Sequence, residues 1–576
     1  MVMRSVCGDS GVASSRKIVT LRQGMVNGVR DKLPNGSDYY YFKGIPYARP
    51  PVGDLRFEAP VPLDKFPATV LDCSKERSSC IGMNMLTREI SGKEDGLYLN
   101  VYTPVIPTRG GVEPKLPVMV FVHGGGMIGG SGDSLLYNPN FMVQEGVVFV
   151  TMNYRVGVLG LLCLPEAGIH GNEDLKDQHL ALRWVNEHIV KFGGDPSNVT
   201  LFGASSGGSC VGLHCTSASS RKYFHKAILQ CGHHLCDFTY SDRAVQKARD
   251  LAKHFGFSGG SDKEALQVLK NVPADQLVAQ QSTVLSPRER ELEEIYQVAF
   301  GHVIEQKDSK HAVLTTDPLE FFKNPNSFGI PVIIGYNDGE GSMEVMNILR
   351  HLNDYNSQPE RLIPRSLNVD YFGPTAKQVG EEIKQLMIGD KPLTEDMLQE
   401  ILEFISEKYA YTAYVFAYFW SKFQHDSNLY CYRFTFDGLL NTGKVLTKIP
   451  PFKGAGHMDE LFYLFTSALA VEVTESDKAY QMRQTMVRMW TNFAKCSNPT
   501  PASDERLNFR WNPIRNGDPN GKDDFQSIYL NIDQEMKMDL PDPKRLQGWV
   551  QLHNKYNGEF TKLAYAIDDM NVKEQF

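Results

Sequence analysis

Three short, continuous apolar segments constrain the fold of this chain more than any other feature. They are LPVMVFV at 116–122, VVFVTMNY at 147–154 and NVTLFG at 198–203. A strand with one solvent-exposed face alternates apolar and polar residues, whereas an unbroken apolar run is typical of a strand buried on both faces of a parallel sheet. The three segments therefore predict strands of a parallel sheet.

The chain between the second and third segments predicts a helix. In residues 177–192, DQHLALRWVNEHIVKF, apolar side chains recur at helical spacing, and Gly-Gly-Asp-Pro at 193–196 ends the pattern. Strand, helix and strand in this order form the crossover unit that parallel sheets require. Two further buried strands are predicted within 329–338 and 429–436, so the predicted fold class is α/β.

Charge and cysteine spacing exclude several classes of function. The 576 residues carry a net charge of -8, whereas nucleic-acid binding needs concentrated Lys and Arg. No window approaches the ~20 apolar residues of a membrane span, and residues 1–17 contain no apolar run of signal-peptide length. None of the ten cysteines has the CxxC spacing of a zinc site. We therefore expect a cytoplasmic protein with no nucleic-acid partner, membrane span, metal or cofactor.

A GxSxG motif, at 203–207, follows the third apolar segment directly. A nucleophilic serine on a tight strand-to-helix turn needs very small residues two positions before and two positions after it. Ser205 fits this register. Ser206 does not, because Ala204 would then stand where the first glycine belongs. The same motif also occurs in ordinary glycine-rich loops, so the motif alone leaves that alternative open.

A run of three glycines, HGGG at 123–126, follows the first apolar segment. Glycines let backbone N–H groups approach a reacting oxygen and stabilise a tetrahedral anion there. Alone, such a run is usually a flexible loop. At the end of a buried strand and upstream of a serine turn, it matches the oxyanion loop of lipases and esterases.

The order of several longer motifs resembles the carboxylesterase–cholinesterase family of α/β hydrolases, and insect general carboxylesterases most of all. The motifs are YFKGIPYARPPVGDLRFEAP at 41–60, EDGLYLNVYTP at 94–104, HGGGM at 123–127, NYRVG at 153–157, FGGDPSNVTLFG at 192–203 and GAGHMDELFYLF at 454–465. The resemblance implies the α/β-hydrolase fold, a central, mostly parallel sheet flanked by helices and carrying helical insertions. It also implies one domain over 17–560, with flexible termini at 1–16 and 561–576.

The resemblance further implies which residues accompany the serine. His457, in GAGHMDEL, matches the family's catalytic histidine, and Glu340, in IIGYNDGEGSMEV, matches its acid. The order Ser205, Glu340, His457 is the one that this fold requires. The family commonly has an acidic residue where this chain has Gly339, so Asp338 stays open as an alternative acid.

The implied activity is hydrolysis of carboxylic esters to acid and alcohol through an acyl-enzyme. The N–H groups of Gly125, Gly126 and Ser206 form the predicted oxyanion hole. The predicted substrates are small-molecule apolar esters, such as dietary compounds, insecticides and semiochemicals. The predicted assembly is a monomer or a homodimer.

Several positions depart from the family's pattern. Ala204 stands where the family often has Glu, which removes a water-organising carboxylate. The alternative function is therefore a slow-turnover binder that sequesters esters or organophosphates.

A cysteine and a tryptophan of related enzymes are also missing. Gly96 replaces a cysteine, so the family's disulfide to Cys73 cannot form, and Cys80 is a conceivable partner for Cys73 instead. No tryptophan lies in 80–95, and a quaternary ammonium prefers an indole face, so acetylcholine is not an expected substrate.

Overall fold

The structure is a computed structural model. It describes residues 16–108, 115–241, 243–292, 298–307, 309–322, 329–364, 367, 369–424, 427–514, 528–540 and 543–556. The strands are β1 Arg16–Leu21, β2 Gly24–Lys32, β3 Asp38–Pro46, β4 Val70–Asp72, β5 Gly82–Met83, β6 Ile90–Ser91, β7 Tyr98–Thr103, β8 Leu116–Val122, β9 Val148–Met152, β10 Cys163–Leu164, β11 Ile169–His170, β12 Gly194–Ala204, β13 Lys226–Gln230, β14 Val332–Asn337, β15 Leu429–Phe434, β16 Tyr529–Ile532 and β17 Lys537–Asp539. The α-helices are α1 Ser134–Tyr137, α2 Asn140–Gln144, α3 Val158–Leu161, α4 Glu173–His188, α5 Ser206–Thr216, α6 Ala244–His254, α7 Asp262–Asn271, α8 Ala274–Gln280, α9 Pro287–Leu292, α10 Pro318–Phe322, α11 Val345–Arg350, α12 Leu352–Ser357, α13 Ala376–Ile388, α14 Leu398–Phe423, α15 Thr442–Leu446, α16 Lys478–Cys496 and α17 Pro543–Tyr556.

Within the described residues, 13 strands form one large sheet. Its order is β1-β2-β3-β7-β9-β8-β12-β13-β14-β15-β16-β17, with β4 paired to β2. All neighbours from β9 to β16 are parallel. Antiparallel pairs join β1, β2, β3, β7 and β9 at one edge and β16 and β17 at the other. The predicted mostly parallel sheet with flanking helices is confirmed.

The central strand β8 shows why its sequence is an unbroken apolar run. Val118, Val120 and Val122 pack on one face of the sheet with residues of α4 and α5. Met119 and Phe121 pack on the other face with residues of α16. All five are fully buried. A strand covered on both faces has no polar side to alternate with, so the prediction from periodicity is confirmed.

The carboxyl ends of three parallel strands lead to the candidate residues. Ser205 follows β12 and precedes α5, Glu340 lies shortly after β14, and His457 lies in the chain after β15. A β-bridge between Gly339 and Gly456 joins the last two segments. Ligands of open α/β sheets bind outside the carboxyl ends of the strands, so the topology brings all three candidates to the edge where a site is expected.

The disulfide expectation for position 96 is corrected. A Cβ placed on Gly96 would lie 2.8 Å from the sulfur of Cys80. The thiol beside this position is therefore Cys80, and the link assigned to Cys73 is wrong. Both Cys73 and Cys80 are free and buried. Sequence distance could not distinguish them, because only the folding of the segment before β7 brings one of them against Gly96.

The single domain over 17–560 stays a prediction. Of the predicted flexible termini, residues 1–15 and 561–576 lie outside the described residues. Across the described part of the chain, no helix has both the length and the apolar character that crossing a membrane requires.

Candidate active site

The serine turn adopts the backbone of a tight elbow. Ser205 has φ 56°, in the left-handed region that non-glycine residues seldom adopt. A Cβ on Gly203 would lie 2.6 Å from the backbone of Gly207, and a Cβ on Gly207 would lie 2.2 Å from the carbonyl oxygen of Val122. Neither position has room for a side chain. The GxSxG motif is therefore a strand-to-helix elbow in this structure, not a plain loop.

Ser205, His457 and Glu340 form a continuous chain of hydrogen bonds. The Ser205 hydroxyl lies 2.9 Å from Nε2 of His457, and Nδ1 of the same ring donates to Oε2 of Glu340. Oε1 of Glu340 accepts the backbone N–H of Asn337 at 2.9 Å, and the Ser342 hydroxyl accepts the backbone N–H of His457 at 3.0 Å. The structure thus brings the three predicted side chains together. Their catalytic roles stay predictions.

The alternative acid, Asp338, is not part of this chain of hydrogen bonds. Its Oδ1 accepts the backbone N–H of Ala455 at 2.8 Å, and burial raises the pKa of this carboxyl to about 6. Among the described residues, the carboxylate that contacts the His457 ring is that of Glu340. Asp338 supports the loop that carries the histidine.

The predicted oxyanion amides lie beside the serine elbow. A Cβ on Gly124 would lie 3.1 Å from the Cβ of Ser205, so the glycine run and the elbow are in close contact. Gly126 has φ 62°, and Ser206 is the first residue of α5, where N–H groups have no partner within the helix. In the described part of the chain, no protein group accepts a hydrogen bond from the N–H of Gly125, Gly126 or Ser206. The three N–H groups thus meet one requirement of oxyanion donors, and their role stays a prediction.

A second buried carboxylate, that of Glu460, lies behind the site and is not predicted from the sequence. Its Oε1 accepts hydrogen bonds from Gln230 at 3.2 Å and from the thiol of Cys231 at 3.0 Å. Its Oε2 accepts from the side-chain amide of Asn337 at 2.6 Å, and the backbone of Asn337 holds Glu340. These hydrogen bonds favour the charged form of the carboxyl, but burial outweighs them and raises its pKa. Glu460 is therefore a second buried carboxyl behind the first, and it adds a negative charge once the pH exceeds its raised pKa.

These two carboxylates govern the charge of the histidine. Burial acts to lower the pKa of His457, but the carboxylate of Glu340 and then that of Glu460 outweigh it, and the pKa is raised. Burial, and next the charge of Glu340, also raise the pKa of Glu460. A histidine accepts a proton only when it is neutral, so the carboxylates help to set the lower pH limit of the site.

We expect Glu460→Gln to move the acidic limb of the kcat/KM pH profile to lower pH. Neutralising this carboxylate removes one of the charges that raise the pKa of His457, so the ring stays neutral to a lower pH. The measurement is kcat/KM for p-nitrophenyl acetate across the acidic limb. Glu166→Gln, which neutralises a carboxylate 77% exposed, is the matched control. An acidic limb that does not move in Glu460→Gln would contradict the prediction.

Apolar residues near the glycine run divide between the core and the site. Met127 is 3% exposed and packs in a core cluster with Phe57, and Ile128 is buried as well. Their apolar character serves packing. By contrast, a Cβ on Gly126 would lie 2.6 Å from the sulfur of Met85, which is half-buried. Met85 therefore places an apolar side chain against Gly126 of the predicted oxyanion hole, a contact that no local sequence pattern indicates.

The chain is similar to esterases over most of its length. It is 30% identical over 547 residues to Esterase B1 from Culex pipiens, covering 92% of this chain and 97% of that protein. It is 32% identical over 533 residues to Juvenile hormone esterase from Tribolium castaneum, covering 89% of each. The solved structure of Juvenile Hormone Esterase from Manduca sexta, with OTFP covalently attached, matches with a TM-score of 0.79 and 26% identity, covering 94% of this chain and 100% of that chain. These similarities agree with the α/β-hydrolase fold.

The expected cytoplasmic location is wrong. The similar proteins include Venom carboxylesterase-6 from Apis mellifera, 28% identical over 535 residues, and venom is a secreted fluid. This similarity points to an extracellular location. The expectation rested only on the composition of residues 1–17, which is too indirect a signal to outweigh it.

A family model supplies the broadest comparison. Residues 15–549 match the model of the carboxylesterase family. The matched span contains the serine elbow, the glycine run and the two loops that carry Glu340 and His457. The chain belongs to the carboxylesterase family and is a carboxylic-ester hydrolase.

Proposed function

We propose that this hydrolase cleaves esters in two steps, through an acyl-enzyme formed on Ser205. The observation that carries the proposal is the 2.9 Å contact between Ser205 Oγ and His457 Nε2, with Nδ1 of the ring held by Glu340. A serine hydroxyl becomes an effective nucleophile when a base takes its proton. The carboxylate fixes the tautomer that leaves Nε2 able to accept that proton.

In the first step, Oγ of Ser205 bonds to the carbonyl carbon of the ester while its proton passes to Nε2 of His457. The carbonyl oxygen becomes an anion, which the N–H groups of Gly125, Gly126 and Ser206 stabilise. The bond between this carbon and the alcohol oxygen then breaks, and His457 gives its proton to the departing oxygen. The products are the free alcohol and an acylated serine.

In the second step, water takes the place of the alcohol. His457 accepts a proton from the water as its oxygen attacks the acyl carbon, and the same N–H groups stabilise the new anion. The bond to Ser205 breaks, the serine recovers its proton from the histidine, and the acid leaves. The Glu340 carboxylate stabilises the charged ring in both steps.

We infer that the substrates are small to medium apolar esters, in the class of dietary compounds, insecticides and semiochemicals. The apolar Met85 beside Gly126 supports this inference, as does similarity to proteins named Juvenile hormone esterase. The absence of tryptophan from 80–95 argues against a choline ester. A monomer or a homodimer stays the predicted assembly.

We expect excess p-nitrophenyl acetate to give a rapid, stoichiometric release of p-nitrophenol followed by sustained turnover. The burst reports acylation, and the steady phase reports deacylation. A stopped-flow record at several acyl lengths measures both phases and ranks the acyl groups. A burst with almost no later turnover would instead favour the slow-turnover binder that Ala204 suggests. Turnover that is equal in wild type and Ser205→Ala would contradict both readings.

A further inference from the structure

One cluster of metal-binding side chains in the described residues lies outside the candidate active site. It consists of Asp174 in the first turn of α4, Cys210 in α5 and His302 in the segment 298–305. Their exposed fractions are 2%, 1% and 0%. A thiolate, an imidazole and a carboxylate are the donor types that zinc takes in proteins. The fold thus collects a zinc donor set from three segments distant in the sequence.

The three donor atoms are close to the spacing of a tetrahedral site. Nε2 of His302 lies 2.8 Å from Oδ2 of Asp174. The sulfur of Cys210 lies 3.9 Å from that nitrogen and 4.0 Å from that oxygen. With ordinary bond lengths, a tetrahedral zinc ion separates sulfur from nitrogen by about 3.6 Å and nitrogen from oxygen by about 3.4 Å. Side-chain shifts of about half an ångström reach these separations.

The histidine ring is oriented as metal-bound histidines are. Its Nδ1 donates to the backbone carbonyl of Thr239 at 2.9 Å, the arrangement that fixes Nε2 as the ligand nitrogen. In the neutral ring, the lone pair of Nε2 then faces the carboxylate of Asp174, and a cation must lie between them. A proton or a metal ion meets this need equally well. The other oxygen, Oδ1 of Asp174, is buried with no hydrogen-bond partner among the described residues, and a metal gives this oxygen a role that a proton on Nε2 does not.

The backbone holds the donors in fixed positions. The side chain of Asn172 donates to the carbonyl of Val303 at 2.8 Å and accepts its N–H at 3.0 Å, which ties the segment of His302 to the start of α4. The N–H of His302 donates to Thr239, and its carbonyl accepts from Ser241, both at 3.0 Å. Donors on a rigid backbone lose little freedom on binding an ion.

We propose that Asp174, Cys210 and His302 bind one Zn²⁺ ion through Oδ2, the thiolate sulfur and Nε2, with Oδ1 of the same Asp174 carboxyl group as a longer, weaker contact to the ion. Cys210 loses its thiol proton on binding, so the thiolate and the carboxylate balance the two charges of the ion. The ion is structural, because all three donor residues are buried and lie outside the candidate active site. It joins α4 and the segment 298–305 to α5, the helix that begins at the serine elbow.

The test measures metal content and metal spectra of the full chain. Protein stripped with a chelator is titrated with Zn²⁺ and, separately, with Co²⁺. We expect one Zn²⁺ per chain, a Tm that rises with Zn²⁺ concentration, and a sulfur-to-cobalt charge-transfer band. Cys210→Ser and His302→Gln should each weaken zinc binding by about 100-fold or more, and Cys210→Ser should also abolish the band.

Cys231→Ser is the matched control. Cys231 belongs to the other cluster of donors, with Glu340 and His457, so this variant removes a thiol from the candidate active site and should keep the metal and the band. Failure of wild type to take up zinc would overturn the proposal, as would a metal that follows Cys231 instead of Cys210. If His302→Gln does not fold, the cobalt spectra of wild type and Cys210→Ser alone test whether the ion is bound through the Cys210 sulfur. A band that is absent from wild type, or that persists in Cys210→Ser, would overturn the proposal.

Discussion

Replacing Ser205 with alanine is expected to lower kcat for p-nitrophenyl acetate by about 10⁵-fold or more, because no acyl-enzyme can form. The residual rate should still exceed that in water, because the amides of the glycine run remain able to stabilise an anion. The measurement is steady-state hydrolysis by purified wild type and variant, with circular dichroism to verify that the variant is folded.

A serine-to-alanine exchange on β12, the strand that leads to the elbow, gives the control. Ser197→Ala removes an exposed hydroxyl from the start of β12, and its kcat should match wild type. A Ser205→Ala enzyme that keeps more than about a hundredth of wild-type kcat would be inconsistent with a serine nucleophile.

The second large effect is expected in Glu340→Gln, which should lower kcat by about 10⁴-fold. The amide cannot stabilise a charged ring, and its NH₂ group favours the wrong tautomer of His457. Because Glu340 is fully buried, water cannot replace the lost carboxylate. The measurement is kcat for the same ester, together with the rate of the pre-steady-state burst, which should fall in parallel.

Asp338→Asn is the matched control for this change. The residue is two positions away and also buried in part, but its carboxylate holds the backbone of Ala455. We expect its kcat to stay within about 10-fold of wild type. A larger loss in Asp338→Asn than in Glu340→Gln would make Asp338 the acid and overturn the assignment.

Local patterns predicted five of the central parallel strands, but they missed β13 between β12 and β14 and the strands at the edges. The segment at 116–122 is β8 to the residue, since burial on both faces leaves a distinctive apolar run. The strand expected from residue 198 begins at Gly194, where its pairing with β8 shifts register, a feature that periodicity does not report. The antiparallel strands β1 to β3 were not predicted, because strands at an edge need no continuous apolar run.

The candidate site likewise contains one residue that a local pattern locates and others that it does not. Ser205 could be located from its own neighbours, because the elbow leaves no space for a side chain at Gly203 and Gly207. Glu340 and His457 could be located only through family resemblance, since one carboxylate or one histidine has no local pattern. Glu460 follows His457 closely in the sequence, but its role depends on donors from β13 and β14 that meet it only in the folded chain.

The central claim is that the Ser205 hydroxyl is the atom that carries the acyl group. Diethyl p-nitrophenyl phosphate tests it directly, because a nucleophilic serine displaces p-nitrophenolate from phosphorus and keeps the phosphoryl group. Peptide mass spectrometry of the inactivated protein should find the diethyl phosphate on Ser205, and the Ser205→Ala chain should stay unlabelled. Complete inactivation with the label on another residue, or with no label at all, would contradict the account.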